Sequence, residues 1–315
     1  MKKILFCAVM VLLTLTACGS KSLELAMGFR PDLQFAPLYV SLEKGYFEET
    51  GLNLTFTHMD ENQAAALVGA NELVFAIVSG EQVPLARAQG LPIVYVAAWY
   101  QKYPVSIISK AGNGIDTPAD LRGQSIGLPG LYGANYIGLD ALLFAGGLSE
   151  ADVTLDSISY TQAEALASDR DLAVSVYTAN EPVQLRAQGY ELNELRVADY
   201  ATLVANGLIT NEKTIAENPD LVRRMVQAFL RGVEYTIEHP DEAFEISKGY
   251  VENLDQLDPV VQKQILATSI ELWQTDHLGY SDPQAWENMQ GVLMDMGLLT
   301  TSLDLDQAFT NEFLP

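Results

Sequence analysis

Cysteine is nearly absent from this chain. Its 315 residues include two, Cys7 and Cys18, and both precede the first segment with a folding pattern. The body of the protein therefore has no disulfide to form and no thiolate to offer a zinc ion or a catalytic cycle. A fold of this length manages without such staples because it buries a large core, and 49% hydrophobic residues supply one. Positive charge is scarce too: 18 Lys and Arg stand against 41 Asp and Glu, a formal net charge of −23. A phosphate backbone is held chiefly by basic patches, so nucleic acid is excluded as a partner. Anionic lipid headgroups are repelled for the same reason, and most of the acids serve to keep the surface hydrated. Histidine is rarer still. His58, His239 and His277 lie far apart with no metal-ligand spacing, and no nucleophile–base pair stands out. Neither catalysis nor a cofactor is expected.

Long apolar runs are missing as well. The run from Ile4 to Leu15, behind Lys2 and Lys3, is too short to span a bilayer comfortably and has the shape of a secretory signal. Leu15, Thr16, Ala17 and Cys18 match the bacterial lipobox, whose cysteine becomes the lipidated first residue after cleavage. Residues 1–18 are thus expected to be a signal peptide, with the rest tethered outside the cytoplasmic membrane through Cys18 alone.

What is present is an alternation of strands and helices. Leu23, Leu25 and Met27 alternate with Glu24 and Ala26 as a short strand does, and the Gly, Pro and Asp of residues 28–34 break it. Phe35, Leu38, Tyr39, Leu42 and Tyr46 then recur at helical steps. Further strands are predicted over 52–56, 73–78 and 93–98, with helices over 62–70 and 82–89 between them. The rhythm repeats with strands over 105–109, 125–128, 153–159 and 172–177 and helices over 134–145 and 182–188, after a capping box at Thr117 to Asp120. Such alternation implies an α/β fold with mostly parallel sheets covered on both faces. SGEQVPLARAQG (Ser79 to Gly90) and TANEPVQLRAQG (Thr178 to Gly189) echo each other after buried strands, which favours two similar lobes. From Asn211 onward the chain reads as helices broken at Pro240, Pro259 and Pro283, with Leu221, Met225, Phe229, Val233 and Ile237 as a core stripe. Residues 23–100 plus 204–315 are expected to form one lobe and 101–203 the other, with Trp99 to Pro104 and Asp199 to Val204 as crossing strands.

Ligands of open α/β sheets lie outside the carboxyl ends of the strands. Four turns qualify. The first presents Asp32, Gln34 and Phe35, and the second Ser79 and Glu81. The third, PGLYGANY, carries Tyr132, Asn135 and Tyr136; the fourth carries Tyr177, Asn180 and Glu181. Trp99 and Tyr100, in the first crossing, add aromatics beside the cleft. Glu81 has an equally good account as an acid complementing a helix macrodipole, and a single ring is more often core than ligand contact. It is their concentration at these positions that marks a site.

The segment EKGYFEETGL behind a strand and polar loop, DTPADLRGQSIGLPG (Asp116 to Gly130) and NPDLVRRMVQAFLRGVEYTIEHPDEA (Asn218 to Ala243) together resemble the periplasmic solute-binding proteins of ABC importers, in the superfamily for thiamine pyrimidines, riboflavin, sulfonates, taurine and nitrate. The resemblance covers most of the chain. It implies a two-lobed periplasmic-binding-protein (type II) fold with a cleft between lobes, a monomer that captures a small molecule, and a permease and ATPase as partners. A nitrate or sulfonate site wants cationic donors, whereas these turns carry Asp32, Glu81 and Glu181, with Arg30 and Lys102 the only nearby cations. An aromatic heterocycle fits better, and PGLYGANYIGLDALL looks nearest the riboflavin-binding branch, with a thiamine pyrimidine precursor as alternative. Two other classes remain open: the superfamily's pyrimidine synthase, whose cysteine-rich motif has no counterpart in a body without cysteine, and a ligand-sensing lipoprotein.

Overall fold

The computed structural model describes residues 22–315; the expected signal peptide and Cys18 lie outside the described residues. The first part of the chain runs β1 (Leu23–Met27), α1 (Ala36–Glu43), α2 (Tyr46–Glu49), β2 (Leu54–His58), α3 (Glu61–Gly69), β3 (Phe75–Val78), α4 (Gln82–Ala88) and β4 (Ile93–Ala98). Then follow β5 (Val105–Lys110), β6 (Ser125–Leu128), α5 (Gly133–Ala145), β7 (Thr154–Ser157), α6 (Gln162–Ala167), β8 (Ala173–Tyr177), α7 (Glu181–Ala187) and β9 (Leu192–Arg196). The last part is β10 (Gly207–Asn211), α8 (Glu212–Glu217), α9 (Pro219–Glu238), α10 (Pro240–Ser247), α11 (Pro259–Trp273) and α12 (Pro283–Asp295).

The strands form two five-stranded sheets, ordered β2-β1-β3-β10-β4 and β7-β6-β8-β5-β9. In the first, β1 pairs in parallel with β2 and β3, while β10 returns antiparallel between β3 and β4. In the second, β6 pairs in parallel with β7 and β8, and β5 runs antiparallel between β8 and β9. Each sheet thus pairs parallel strands fed by helical crossovers with one returning strand. β3 is buried throughout, as a strand covered on both faces must be. Along β5, Ile107 packs into the main core and Ile108 into a smaller cluster with Val174, Val176 and Leu185, the alternation a two-faced strand imposes.

Two expectations change in detail. The helix predicted from Phe35 through Tyr46 is divided, because Gly45 takes φ 73°, a left-handed conformation that ends α1 and opens α2. The crossings at 99–104 and 199–204 are irregular and not strands. They are held side by side by a forked contact: the N–H groups of Trp99 and Tyr100 both donate to the Asn206 carbonyl, at 3.0 and 3.1 Å. Pro240, Pro259 and Pro283 do more than break helices, since each is the first residue of the one that follows. On α9, Met225, Phe229 and Val233 are fully buried and Leu221 and Ile237 partly so. That helix crosses α1 closely enough that a Cβ on Gly232 would meet the Pro37 carbonyl at 2.2 Å.

Candidate functional site

The carboxyl ends of β1, β2, β3, β6 and β8 converge on one cleft, which holds about 1110 Å³ counting its open mouth. A helix or helical turn starts just after each of these strands, or after a short loop, and its first N–H groups lack partners within the helix. The first helical residues of α3, α4 and α7 are Glu61, Gln82 and Glu181, and all three line the cleft.

From the first turn, Asp32, Gln34 and Phe35 all reach the cleft wall. Asp32 caps the 3-10 turn Leu33–Phe35, its Oδ1 accepting the Gln34 N–H at 3.0 Å. Burial raises its pKa, and that hydrogen bond and the Arg30 charge oppose the rise. The third turn contributes Tyr132, 53% exposed at the mouth, and Asn135, whose Oδ1 accepts the Ser175 hydroxyl at 3.1 Å. From the fourth, Tyr177, Asn180 and Glu181 face the same space. Burial pushes the Glu181 carboxyl up to about 7, against the pull of the Tyr177 N–H that it accepts at 3.2 Å. Tyr100 closes the floor, its hydroxyl 3.5 Å from Gln34 Oε1.

The second turn divides. Ser79 lines the cleft, but Glu81 lies outside the lining, fully buried, with no well-formed hydrogen bond to either carboxylate oxygen among the described residues. Trp99 is also behind the wall: at 1% exposure it packs between Phe35 and Trp273, with ring centroids 5.6 and 5.5 Å away. Tyr136, on α5, is not among the residues lining the cleft and donates its hydroxyl to Glu150, whereas Tyr132 is the extended N-cap residue before that helix. Neither expected cation is in the wall. Arg30 lies over the Phe29 ring at 5.3 Å, Lys102 is exposed, and among the described residues no Lys, Arg or His lines the cleft.

Several lining residues escaped the sequence reading. Glu61 is one: its pKa is pushed up to about 8 by burial and by the nearby Glu81 charge, while two hydrogen bonds from Ser79 hold it back. It follows β2, so the strand-end rule that found the other turns applied to it as well. Phe29 and Tyr160 meet edge to face across the mouth, with centroids 5.5 Å apart. Ile265 and Ser269 come from α11, and no local pattern links that helix to the cleft. In chemical terms the site is a slot with aromatic lips and an acidic, cation-free interior, suited to a flat, neutral or weakly cationic ring with polar edges.

The profile of a family described as "NMT1/THI5 like" matches residues 32–243. The riboflavin-binding protein RibY of Chloroflexus aurantiacus is 42% identical over 303 residues, spanning 94% of this chain and 86% of the relative. A formylaminopyrimidine-binding protein of Halalkalibacterium halodurans is 26% identical over 279 residues, spanning 85% and 83% of the two chains. Among solved structures, the periplasmic aliphatic sulphonate binding protein SsuA of Escherichia coli superposes with a TM-score of 0.75 at 12% identity, covering 92% of each chain. The two sheets and the cleft between them are therefore the periplasmic-binding-protein fold.

Proposed function

This chain belongs to the NMT1/THI5-like family and has a solute-binding role, and on that premise we propose that it is the lipid-anchored, extracytoplasmic binding component of an ABC importer, with riboflavin as its ligand. The two sheets act as two lobes, joined by the crossings at 99–104 and 199–204. Ligand bridges them, shifts the population toward the closed form, and is handed to a permease driven by its ATPase. The observation that carries the choice of ligand is the cleft's make-up: Phe29, Tyr132 and Tyr160 at the mouth, acids inside, and no basic side chain among the described residues. A flavin ring can be stacked by the aromatics and read along its polar edge by Asp32, Gln34, Asn180 and Glu181. A sulfonate would meet uncompensated negative charge. The relative named for riboflavin supports the same choice.

A formylated aminopyrimidine is the second reading, favoured by a relative named for it and by the carboxyls of Glu61 and Glu181, natural partners of an amino group beside a ring nitrogen. One experiment separates the two. Residues 20–315 are titrated with riboflavin, thiamine, its pyrimidine precursors, taurine and nitrate while melting temperature and flavin fluorescence are followed. A ligand held by the folded state alone stabilises it by about 2.7 kcal/mol at a hundredfold excess over Kd. Stabilisation by riboflavin with quenched fluorescence is expected; a response to oxyanions alone would overturn both readings.

A further inference from the structure

Glu61 and Glu81 stand apart from the other acids of the cleft. Glu61 is fixed in the wall: Ser79 donates its N–H to Oε1 at 3.2 Å and its hydroxyl to Oε2. Gly28 leaves it the room, since a Cβ there would sit 2.4 Å from Glu61 Cγ. Two residues beyond Ser79, Glu81 is fully buried; neither oxygen makes a well-formed hydrogen bond among the described residues, and the looser approach of its own N–H and the Ser79 and Gln82 side chains only partly offsets its burial. The titratable groups that face this pair are Asp60 on the same helix and the hydroxyls of Tyr103, Tyr160 and Tyr177 from the opposite walls. None is a cation. Two carboxylates placed together in the interior, one of them fully buried and without an ion-pair partner among the described residues, do not both ionise at neutral pH.

We infer that Glu61 and Glu81 hold one proton between them at neutral pH, and that Glu61 presents it to the ligand as a hydrogen-bond donor, so that the cleft selects a ring edge bearing a carbonyl oxygen or an unprotonated nitrogen. The inference rests on the solute-binding reading above and deepens it. Burial raises the pKa of both groups, and Glu81's charge adds to the rise at Glu61, which agrees with a retained proton. Once the pair has lost that proton, binding must take one up from solvent. Affinity then falls as pH rises, up to tenfold per pH unit, with one proton absorbed per ligand bound.

Two measurements on the full chain test this. The first is the riboflavin Kd between pH 6 and 10, in the native protein, Glu61→Gln and Glu181→Gln. The native protein should weaken toward tenfold per unit on the alkaline side. E61Q should lose that slope whatever its affinity, and E181Q should keep it. A Kd that does not change with pH in the native protein overturns the inference and leaves the riboflavin reading intact. The second needs no ligand: carbon-13 NMR of labelled glutamate carboxyls, with the Glu61 signal assigned by its loss in E61Q. Titration of Glu61 above neutrality, moving to lower pH in Glu81→Gln, supports the shared proton. Titration in the ordinary carboxylate range refutes it even if riboflavin proves not to bind.

Discussion

SGEQVPLARAQG and TANEPVQLRAQG follow β3 and β8, and each builds a seven-residue helix that ends at a glycine in the left-handed conformation, Gly90 with φ 81° and Gly189 with φ 91°. Aligned residue for residue, however, Glu181 matches Gln82, and Glu81 matches Asn180. The acids are offset by one position, about 100° around a helix. Glu181 begins α7 and faces the cleft; Glu81 precedes α4 and is sealed in. The neighbourhood completes the difference. The returning chain lies over the first turn so closely that a Cβ on Gly80 would be 2.4 Å from the Val204 carbonyl, while the matching position, Ala179, already carries a Cβ. Similar spelling therefore builds the same helix twice, and the element packed over its start decides whether the acid meets ligand or interior.

The same division between wall and backing separates the aromatics, and its disruption should give the largest effect. Trp99→Ala removes a ring packed against Phe35, Tyr100, Phe229 and Trp273, and a loss of about 3–5 kcal/mol is expected in urea unfolding. Tyr132→Ala should move stability by no more than about 0.5 kcal/mol. If Trp99→Ala kept its stability and lost ligand instead, Trp99 would belong in the wall after all.

A reciprocal exchange at the echoed turns comes next. Gly80→Ala forces a methyl group against backbone and should cost about 1–3 kcal/mol, whereas Ala179→Gly should cost under about 1 kcal/mol, mostly through chain entropy. Equal effects would mean that Val204 does not cap the first turn as described.

The buried acids should appear next, in the dependence of stability on pH. Glu61 and Glu181 are raised from an ordinary 4.5 to about 8 and about 7, so between those limits the folded state binds more protons than the unfolded one. Their contribution is complete below about 4.5 and is lost as pH rises through 7 and 8, with a slope of at most about 1.4 kcal/mol per pH unit per group. Denaturant midpoints measured from pH 5 to 9 should fall accordingly. Glu81→Met replaces the unpartnered carboxyl by an apolar chain of similar length and should recover about 1 kcal/mol at the alkaline end. A flat profile in the native protein would show that these carboxyls are better solvated than their surroundings suggest.

Much of this was legible in the sequence because it depends on local chemistry. Alternating apolar residues placed the strands, prolines and glycines marked where helices start and stop, and the strand-end rule delivered Asp32, Ser79, Asn135 and Glu181 to one cleft. What local pattern does not carry is the direction of a side chain under tertiary packing. Trp99 and Glu81 sit within one residue of cleft-lining neighbours, Tyr100 and Gln82, yet face the other way. Tyr136 was lost to the cleft because its hydroxyl is taken by Glu150. Ile265 and Ser269 arrive from a helix far along the chain, and only the folded arrangement brings them in.

The finest comparison is between two tyrosines at the same mouth. Tyr160 follows β7 in one sheet and meets Phe29, which follows β1 in the other, edge to face at 5.5 Å. It thus ties the two halves across the opening, while Tyr132 lines the cleft with no ring partner of its own among the described residues. Edge-to-face pairs contribute about 0.5–1.5 kcal/mol beyond buried area, so Phe29→Ala and Tyr160→Ala should be non-additive for ligand affinity by about that amount in a double-mutant cycle. Tyr132→Ala should weaken affinity by about 1 kcal/mol, roughly fivefold, and add to either change without coupling. Coupling of Tyr132 but not Phe29 to Tyr160 would move the clasp from between the sheets to within one of them, and the lips of the slot would then belong to a single lobe.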